Sequence, residues 1–375
     1  MILILLALLI VYTSFSLATI IGIRIAPTVE KNTPLPTVSI IIVARDEAKW
    51  LPSCLDSLKE LDYPSSKLEL IVVNDRSNDG TKDILNRFSK LQSNLKILHI
   101  KKVPPSLTGK INGLIEGIEK SNGEVLLFTD ADCIVPSTWI RTMLQGLDSN
   151  TGMVGGFLQL DRGKKSSSLF AKLQSIDWIY LTAIGSSWAN LGKPLSIFGN
   201  NFLIRRKEYN EIGGFRSVSG HILEDFALLK NYRELSQSSV RFLLDHRCLI
   251  MTRAAESVSE FLNQRKRWSI GARSHGPLAY ILMTMTFLAH LVTFLAFLTG
   301  SISSALYAFL IFLFCDLFVL IRPLKILKRL DLIVLIPLYE IFFFSYSLCM
   351  APIFLFSRTV TWKQSRLKRD MTTSS

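Results

Sequence analysis

Three sets of polar residues stand directly after apolar runs in this chain of 375 residues. They are Ala44-Arg45-Asp46-Glu47 after TVSIIIVA (37–44), Asn74-Asp75-Arg76-Ser77-Asn78-Asp79-Gly80-Thr81 after LELIVV (68–73), and Asp130-Ala131-Asp132 after EVLLFT (124–129). If the runs are strands of an open α/β sheet, ligands bind beyond their carboxyl ends, and all three sets share one edge. Asp130 and Asp132 flank a single small residue, and two carboxylates that close are comfortable only when a cation neutralises them. Mg²⁺ or Mn²⁺ suits all-oxygen donors and would be held by one or two carboxylates plus the oxygens of a diphosphate. A lone D-x-D is more often a solvated turn; its strand-end placement favours the functional reading.

Asp75 ends an apolar strand instead of opening a helix, so its carboxylate is placed to accept from a nucleobase N–H. Asp79 reads as the N-cap of a helix over TKDILNRF, and Asp46 as a similar cap. Gly80 stands alone and no G-x-G-x-x-G follows any of the strands, which argues against a dinucleotide or Walker-type phosphate loop. Lys110 opens a helical segment, where a cation opposes the macrodipole and therefore calls for an anion. Gln264, Arg267 and Trp268 form a Q-x-x-R-W pattern in a basic cluster with Arg265 and Lys266. That cluster is also what a cytosolic membrane flank with an interfacial Trp looks like, and both readings can hold together. His221 and His246 are not assigned as metal ligands.

The elements that must position these residues alternate. Short β-branched runs, including LKILHI (95–100), are followed by segments with apolar residues at helical spacing: Trp50, Leu51, Cys54, Leu55, Leu58 and Leu61, then Ile84, Leu85 and Phe88. Near-continuous apolar strands imply a parallel α/β sheet covered on both faces over residues 36–255. Residues 1–23 carry no charged side chain and are long enough to cross a bilayer, so they are expected to be an uncleaved anchor despite the signal-like Ser16-Leu17-Ala18. Residues 256–275 read as an amphipathic segment at the membrane face, 276–357 as membrane segments and 358–375 as a basic tail. Within 276–357, the runs 276–300 and 301–321 form a membrane hairpin. The positive-inside rule then sets the basic tail against a third full span: either 332–357 is a re-entrant or interfacial hairpin broken at Pro337 and Pro352, which the rule favours, or it spans and the rule fails at the tail.

Nearly half the residues (49%) are apolar, which fits a membrane protein better than a soluble two-domain one. The net charge of +13 suits anionic lipid, a phosphate-bearing substrate or nucleic acid. Nucleic acid is the weakest of these partners because much of the excess lies at membrane flanks. Gly and Pro are ordinary in number, and the five Cys are scattered without metal spacing, which excludes collagen-like and disulfide-rich classes. Free, buried thiols point to a reducing compartment for the polar part.

The blocks SIIIVARDEAKWLPSCLDSL, LDYP, ELIVVNDRSNDGT, TGKINGLIEGI and VLLFTDADC resemble the nucleotide-binding half of glycosyltransferase family 2, with its GT-A fold. FGNNFLIRRKEYNEIGGF (198–215), LEDFALLK (223–230) and QRKRW (264–268) resemble the acceptor-side motifs of its membrane synthases. The resemblance covers residues 36–270 in the expected order. It implies an α/β GT-A nucleotide-sugar-binding domain with a mostly parallel mixed sheet, plus N- and C-terminal transmembrane helices. It further implies that Ala44, Arg45, Glu47 and Asp75 contact the uracil and ribose of a nucleotide-sugar, and Lys110 the diphosphate. Asp130 would face the ribose or metal, and Asp132 the metal. Asp225 matches the family's general base, with Glu224 as its neighbour. Arg267 would stabilise the leaving diphosphate, and Trp268 would stack on the acceptor sugar, beside Gln264. Gly199-Asn200-Asn201 resembles an acceptor-binding element.

Asn74 and Arg76 depart from the family's more usual acidic and small residues, which bears on nucleobase preference. The expected protein is an integral, multi-pass enzyme of the plasma or inner membrane with its catalytic domain in the cytosol. It would be metal-dependent and inverting, using a UDP-linked nucleotide-sugar donor and a lipid or glycan acceptor. Two rivals remain: a nucleotidyltransferase, which would want a glycine-rich loop after the first strand, and a non-catalytic scaffold or transporter, supported only by Asp316 and Glu340 within the apolar runs.

Overall fold

The structure is a computed structural model; it describes residues 2–24, 34–90, 92–104, 107, 109–160, 168–218, 221, 223–272, 277–356, 359–362 and 365–368. Along the chain run α1 (Ile2–Gly22), β1 (Val38–Ala44), α2 (Leu51–Lys59), β2 (Leu68–Asp75), α3 (Thr81–Ser89), β3 (Leu95–Ile100), α4 (Gly109–Glu119) and β4 (Val125–Phe128). Next come α5 (Trp139–Leu144), β5 (Thr151–Gly156), β6 (Leu158–Gln159), α6 (Leu169–Asn190), β7 (Phe202–Arg205), α7 (Arg206–Glu211), α8 (Glu224–Leu235), β8 (Ser239–Leu243) and β9 (Ile250–Met251). The chain closes with α9 (Val258–Ala272), α10 (Pro277–Leu298), α11 (Ile302–Ile326), α12 (Ile336–Phe356) and the strands β10 (Thr359–Trp362) and β11 (Ser365–Lys368).

These elements divide into two compact units: residues 25–163 with 196–253, and residues 1–24, 164–195 and 254–375. The first unit holds a seven-stranded sheet of order β3-β2-β1-β4-β7-β5-β8. The four expected strands are all present and mutually parallel: β1 pairs with β2 and β4, and β2 with β3. Ile40, Ile41 and Ile42 have no exposed surface, as strands covered on both faces require. β7 joins β4 antiparallel, with Phe202 opposite Phe128. The chain just before β7 therefore arrives at the same sheet edge as the carboxyl ends of β1, β2 and β4.

α2 buries Leu51, Cys54, Leu55 and Leu58 as its spacing foretells, but Trp50 caps it and Leu61 lies beyond its end. The N-cap of α3 is Gly80. Asp79 sits one residue earlier, accepting from Thr81 N at 2.9 Å and from Ala48 N at 2.9 Å, so it bridges two loops. Asp46 caps no helix either; its Oδ1 accepts from Asn78 N at 2.8 Å.

The second unit contains the long apolar helices. α1 continues without a break through Ser16-Leu17-Ala18. Leu5, Leu8, Leu9 and Tyr12 pack on Ala289, Ala308 and Phe312, where the two alanines let helices approach closely. Among the described residues, three helical stretches are long and apolar enough to cross a membrane: Ile2–Gly22, Ile302–Ile326 and Leu330–Met350. The last overturns the expected hairpin over 332–357. A 3₁₀ turn (Leu330–Leu335) leads into one uninterrupted helix, α12, because Pro337 falls in its first turn, where a missing N–H costs nothing. Residues 164–195, expected inside the 36–255 domain, group instead with the apolar helices through α6. Part of the basic tail forms the antiparallel pair β10–β11, whereas residues 358, 363–364 and 369–375 lie outside the described residues, as do 273–276 between the amphipathic segment and α10.

Candidate functional site

The loops after β1 and β2 hold one another. Asp46 N donates to Ser77 Oγ at 3.0 Å and Glu47 N to Thr81 Oγ1 at 2.9 Å. Asp46 and Arg76, the first loop residues to turn away, both have φ of 54°, a left-handed conformation that non-glycine residues rarely adopt and that gathers at functional sites. Ala44 is fully buried and pairs with Asn74 across the strands. Asp75 is 1% exposed; Arg76 donates to its Oδ1 at 2.8 Å and to its Oδ2 at 3.3 Å, and Arg45 stands 4.0 Å away. The residue that looked out of place at 76 is therefore the partner of the strand-end carboxylate. Asn74 Nδ2 meets His99 Nδ1 at 3.2 Å.

Lys110, in the first turn of α4, does find anions, and they belong to the chain. Its Nζ lies 3.1 Å from Asp130 Oδ1 and 2.8 Å from Glu224 Oε1. Burial works against its charge, but the carboxylates of Asp130 and Glu224 more than offset that and hold the ammonium above the ordinary lysine range. Glu224 and Asp225 open α8, where acidic side chains favour the helix dipole. Asp225 Oδ2 accepts from Gly199 N at 2.7 Å, and Oδ1 from its neighbour Phe226 N at 2.8 Å. Burial and then the adjacent Glu224 charge push the Asp225 carboxyl up to about 6, against the pull of Lys110 and the two N–H groups. Near-neutral basicity is what a proton acceptor needs.

Asp132 Oδ2 faces Arg253 Nε at 3.4 Å, a cation that reading the motifs alone missed because TRAAE carries no recognisable pattern. Asn201 is a structural residue: fully buried, it accepts from Trp139 Nε1 at 2.9 Å and donates to Phe157 O at 2.8 Å and Cys248 O at 3.0 Å. His246 lies 3.6 Å from Asp245, apart from this group. No set of three His, Cys, Asp or Glu side chains converges as a metal cage among the described residues. Asp130 and Asp132 offer the oxygen-only donors that suit a hard divalent ion, although Lys110 and Arg253 already supply the charge expected to neutralise them.

The first unit thus brings Arg45, Asp75, Lys110, Asp130, Asp132, Glu224 and Asp225 to one edge of the sheet. Glu47 lies in the β1 loop beside them. Gln264, Arg267 and Trp268 lie on α9 of the second unit. There, Trp268 meets Trp178 edge to face, with ring centroids 4.7 Å apart, and the Arg265 guanidinium lies 4.2 Å from the centre of its ring.

A mixed, mostly parallel sheet with carboxylates at its strand ends is a GT-A-like fold. The family model of glycosyl transferase family 21 matches residues 1–374, and the chain belongs to that family, rather than to the family 2 that its motifs resemble. The probable glycosyltransferase YdaM of Bacillus subtilis is 31% identical over 261 residues, 67% of this chain and 60% of that protein. The beta-monoglucosyldiacylglycerol synthase of Synechocystis is 23% identical over 240 residues, 64% of this chain and 48% of that protein. The chain therefore spans about half to three-fifths of the length of these relatives. Among solved structures, a mannosyltransferase from Pyrobaculum calidifontis, in complex with GDP-Man and Mn²⁺, superposes with a TM-score of 0.58 at 16% identity, covering 91% of this chain and 98% of that one. That likeness is one of fold.

Proposed function

We propose that this protein is a membrane-bound, inverting glycosyltransferase that moves a sugar from a nucleotide-sugar, UDP-linked, to a hydroxyl of a lipid or growing glycan at the cytosolic membrane face. The observation that carries the reading is Lys110 Nζ, shared between Asp130 at 3.1 Å and Glu224 at 2.8 Å, which ties the strand-end acidic pair to the acidic head of α8. Relatives named as a poly-beta-1,6-N-acetyl-D-glucosamine synthase of Staphylococcus epidermidis and a glucosyldiacylglycerol synthase of Synechocystis support a glycan or a lipid as acceptor.

In the transfer, the acceptor oxygen attacks the anomeric carbon from the face opposite the nucleotide as the bond to the diphosphate breaks. The hydroxyl proton passes to the Asp225 carboxylate, which two backbone N–H groups orient. No covalent enzyme intermediate is needed. Arg45, Glu47 and Asp75 bind the nucleoside, whereas Ala44, expected to contact it, has no exposed surface and supports the loop from within the sheet; Asp75 is held by Arg76, so that its oxygens are oriented before the base arrives. Lys110 meets the diphosphate. Asp130 and Asp132 would hold Mg²⁺ or Mn²⁺, which when bound supplies charge neutralisation for the leaving nucleotide. Arg267 adds positive charge for that group, and Gln264 and Trp268 line the acceptor side.

The test is nucleotide release from a panel of UDP- and GDP-sugars by detergent-purified protein with Mn²⁺ or Mg²⁺, with and without lipid extract. Metal-dependent release that Asp225→Asn abolishes is the expected result. The absence of both turnover and nucleotide binding under all of these conditions would overturn the proposal.

A further inference from the structure

The second residue of the QRKRW segment does something its sequence context hides. Arg265 sits in a basic cluster, yet it is only 4% exposed, and its Nη2 donates to Asp177 Oδ2 of α6. Asp177 has no exposed surface at all. Its other oxygen accepts from Tyr339 Oη at 3.1 Å and Tyr346 Oη at 2.7 Å, both on α12. The Arg265 guanidinium lies 4.7 Å from the ring centre of Phe261 and 4.2 Å from that of Trp268. One turn earlier on α6, Gln174 donates to Ala255 O at 3.1 Å and accepts from Ala255 N at 2.9 Å, gripping the chain where it enters α9.

We infer that Asp177 and Arg265 are positioning residues for the transfer site: a buried ion pair that sets the rotation of α9 and, through it, the direction of Arg267. The inference rests on the reading of Gln264, Arg267 and Trp268 as part of that site. Two physical points support it. A buried carboxylate–guanidinium pair is costly to desolvate and gives little net stability relative to apolar packing, so its best use is to select one arrangement among several. Helix geometry supplies the second: at about 100° per residue Phe261, Arg265 and Trp268 share a face, whereas Arg267 projects about 160° from Arg265. Holding the first face therefore aims the second. Arg265 also covers one side of the Trp268 indole, so the two residues move together.

The experiment measures kcat and KM for the nucleotide-sugar that turns over, on full-length protein in detergent, for Asp177→Asn, Arg267→Ala and the double variant, with Arg265→Lys alongside. Asp177→Asn and Arg267→Ala are each expected to lower kcat by about tenfold or more, and the double variant to be within about twofold of the weaker single one, because both act through one arginine. Arg265→Lys keeps the charge and is expected to retain a part of the wild-type kcat but not all of it, since lysine lacks the planar fork. Losses that multiply in the double variant would mean that Asp177 only packs helices, and an unchanged kcat in Asp177→Asn would overturn the inference outright. Unchanged turnover in Arg267→Ala would instead remove the reading on which it rests. If Asp177→Asn does not fold, Tyr346→Phe removes one hydrogen bond and no charge; its smaller loss must likewise vanish in the Arg267→Ala background, and an additive loss overturns the inference.

Discussion

Lys110 Nζ and Glu224 Oε1 lie 2.8 Å apart, and through that contact a lysine from the first turn of α4 reaches the carboxylate preceding the proposed base. The same ammonium touches Asp130, so one cation sits among the acidic residues of the two motifs. Replacing Lys110 by Ala leaves those carboxylates to repel one another and removes a partner for the diphosphate. UDP affinity measured by calorimetry is expected to fall by about tenfold or more, since charge-assisted contacts of this kind are worth about 1.5–3 kcal/mol.

Glu224→Gln takes away a charge that raises the Asp225 carboxyl. Asp225 should then ionise at lower pH, and the acid limb of the kcat/KM profile, which reports the free enzyme, should move to the acid side of the wild-type limb. In the wild type that limb is expected at about 6, because the carboxyl pushed up to about 6 must be ionised to take a proton. A limb that does not move in Glu224→Gln would deny the coupling.

The same raised carboxyl affects stability. Burial, then Glu224, make the folded state hold the Asp225 proton more tightly than the unfolded chain, whose Asp titrates at about 3.9. The folded state therefore binds more protons between about pH 4 and 6, and stability falls as pH rises through that window. Asp225→Asn removes the penalty. Thermal unfolding is expected to show the variant more stable than wild type by about 3 kcal/mol above pH 6, with the difference closing toward pH 4.

Gly199 is needed for space. A Cβ there would lie 3.0 Å from Asp225 Oδ2 and 3.3 Å from its Cγ, so Gly199→Ala pushes the carboxylate while leaving the backbone N–H in place. The expected outcome is a kcat lowered by about tenfold, with donor KM within about twofold and little change in unfolding temperature.

Within the apolar helices, Tyr12 Oη donates to Asp316 Oδ1 at 2.7 Å, and Tyr180 Oη donates to the same oxygen at 3.0 Å. Tyr12→Phe leaves the acceptor still bonded by Tyr180. It should lower stability in detergent by about 1 kcal/mol, whereas Tyr12→Ala, which also empties a fully packed site, should cost about 3 kcal/mol or more. Asp316, which read as possible support for a transporter, is thus hydrogen-bonded by two helices.

Much of the nucleotide-side architecture was legible before folding because it is local. A strand buried on both faces has to be a continuous apolar run, and the polar residues after it have to fall at one edge; this placed Asp75, Asp130 and Asp132 without any knowledge of their partners. α6 was not legible. Its mixed sequence, with Asp177 in the middle, resembles neither a membrane span nor a surface helix until Arg265, Tyr339 and Tyr346 are brought to it.

The sequence by itself determined the kinds of element and the chemistry at their ends: hydrophobic periodicity and length decide strand, helix and apolar helix through interactions between near neighbours. Tertiary structure alone decided the long-range pairings: Lys110 with Glu224, Arg253 with Asp132 and Arg265 with Asp177. It also decided that Ile336–Phe356 continues as one helix, which the charge count at its flank had disfavoured. Charges and hydrogen bonds act over a few ångströms, and except between adjacent residues such as Asp75 and Arg76, which groups come that close depends on how the helices and strands pack.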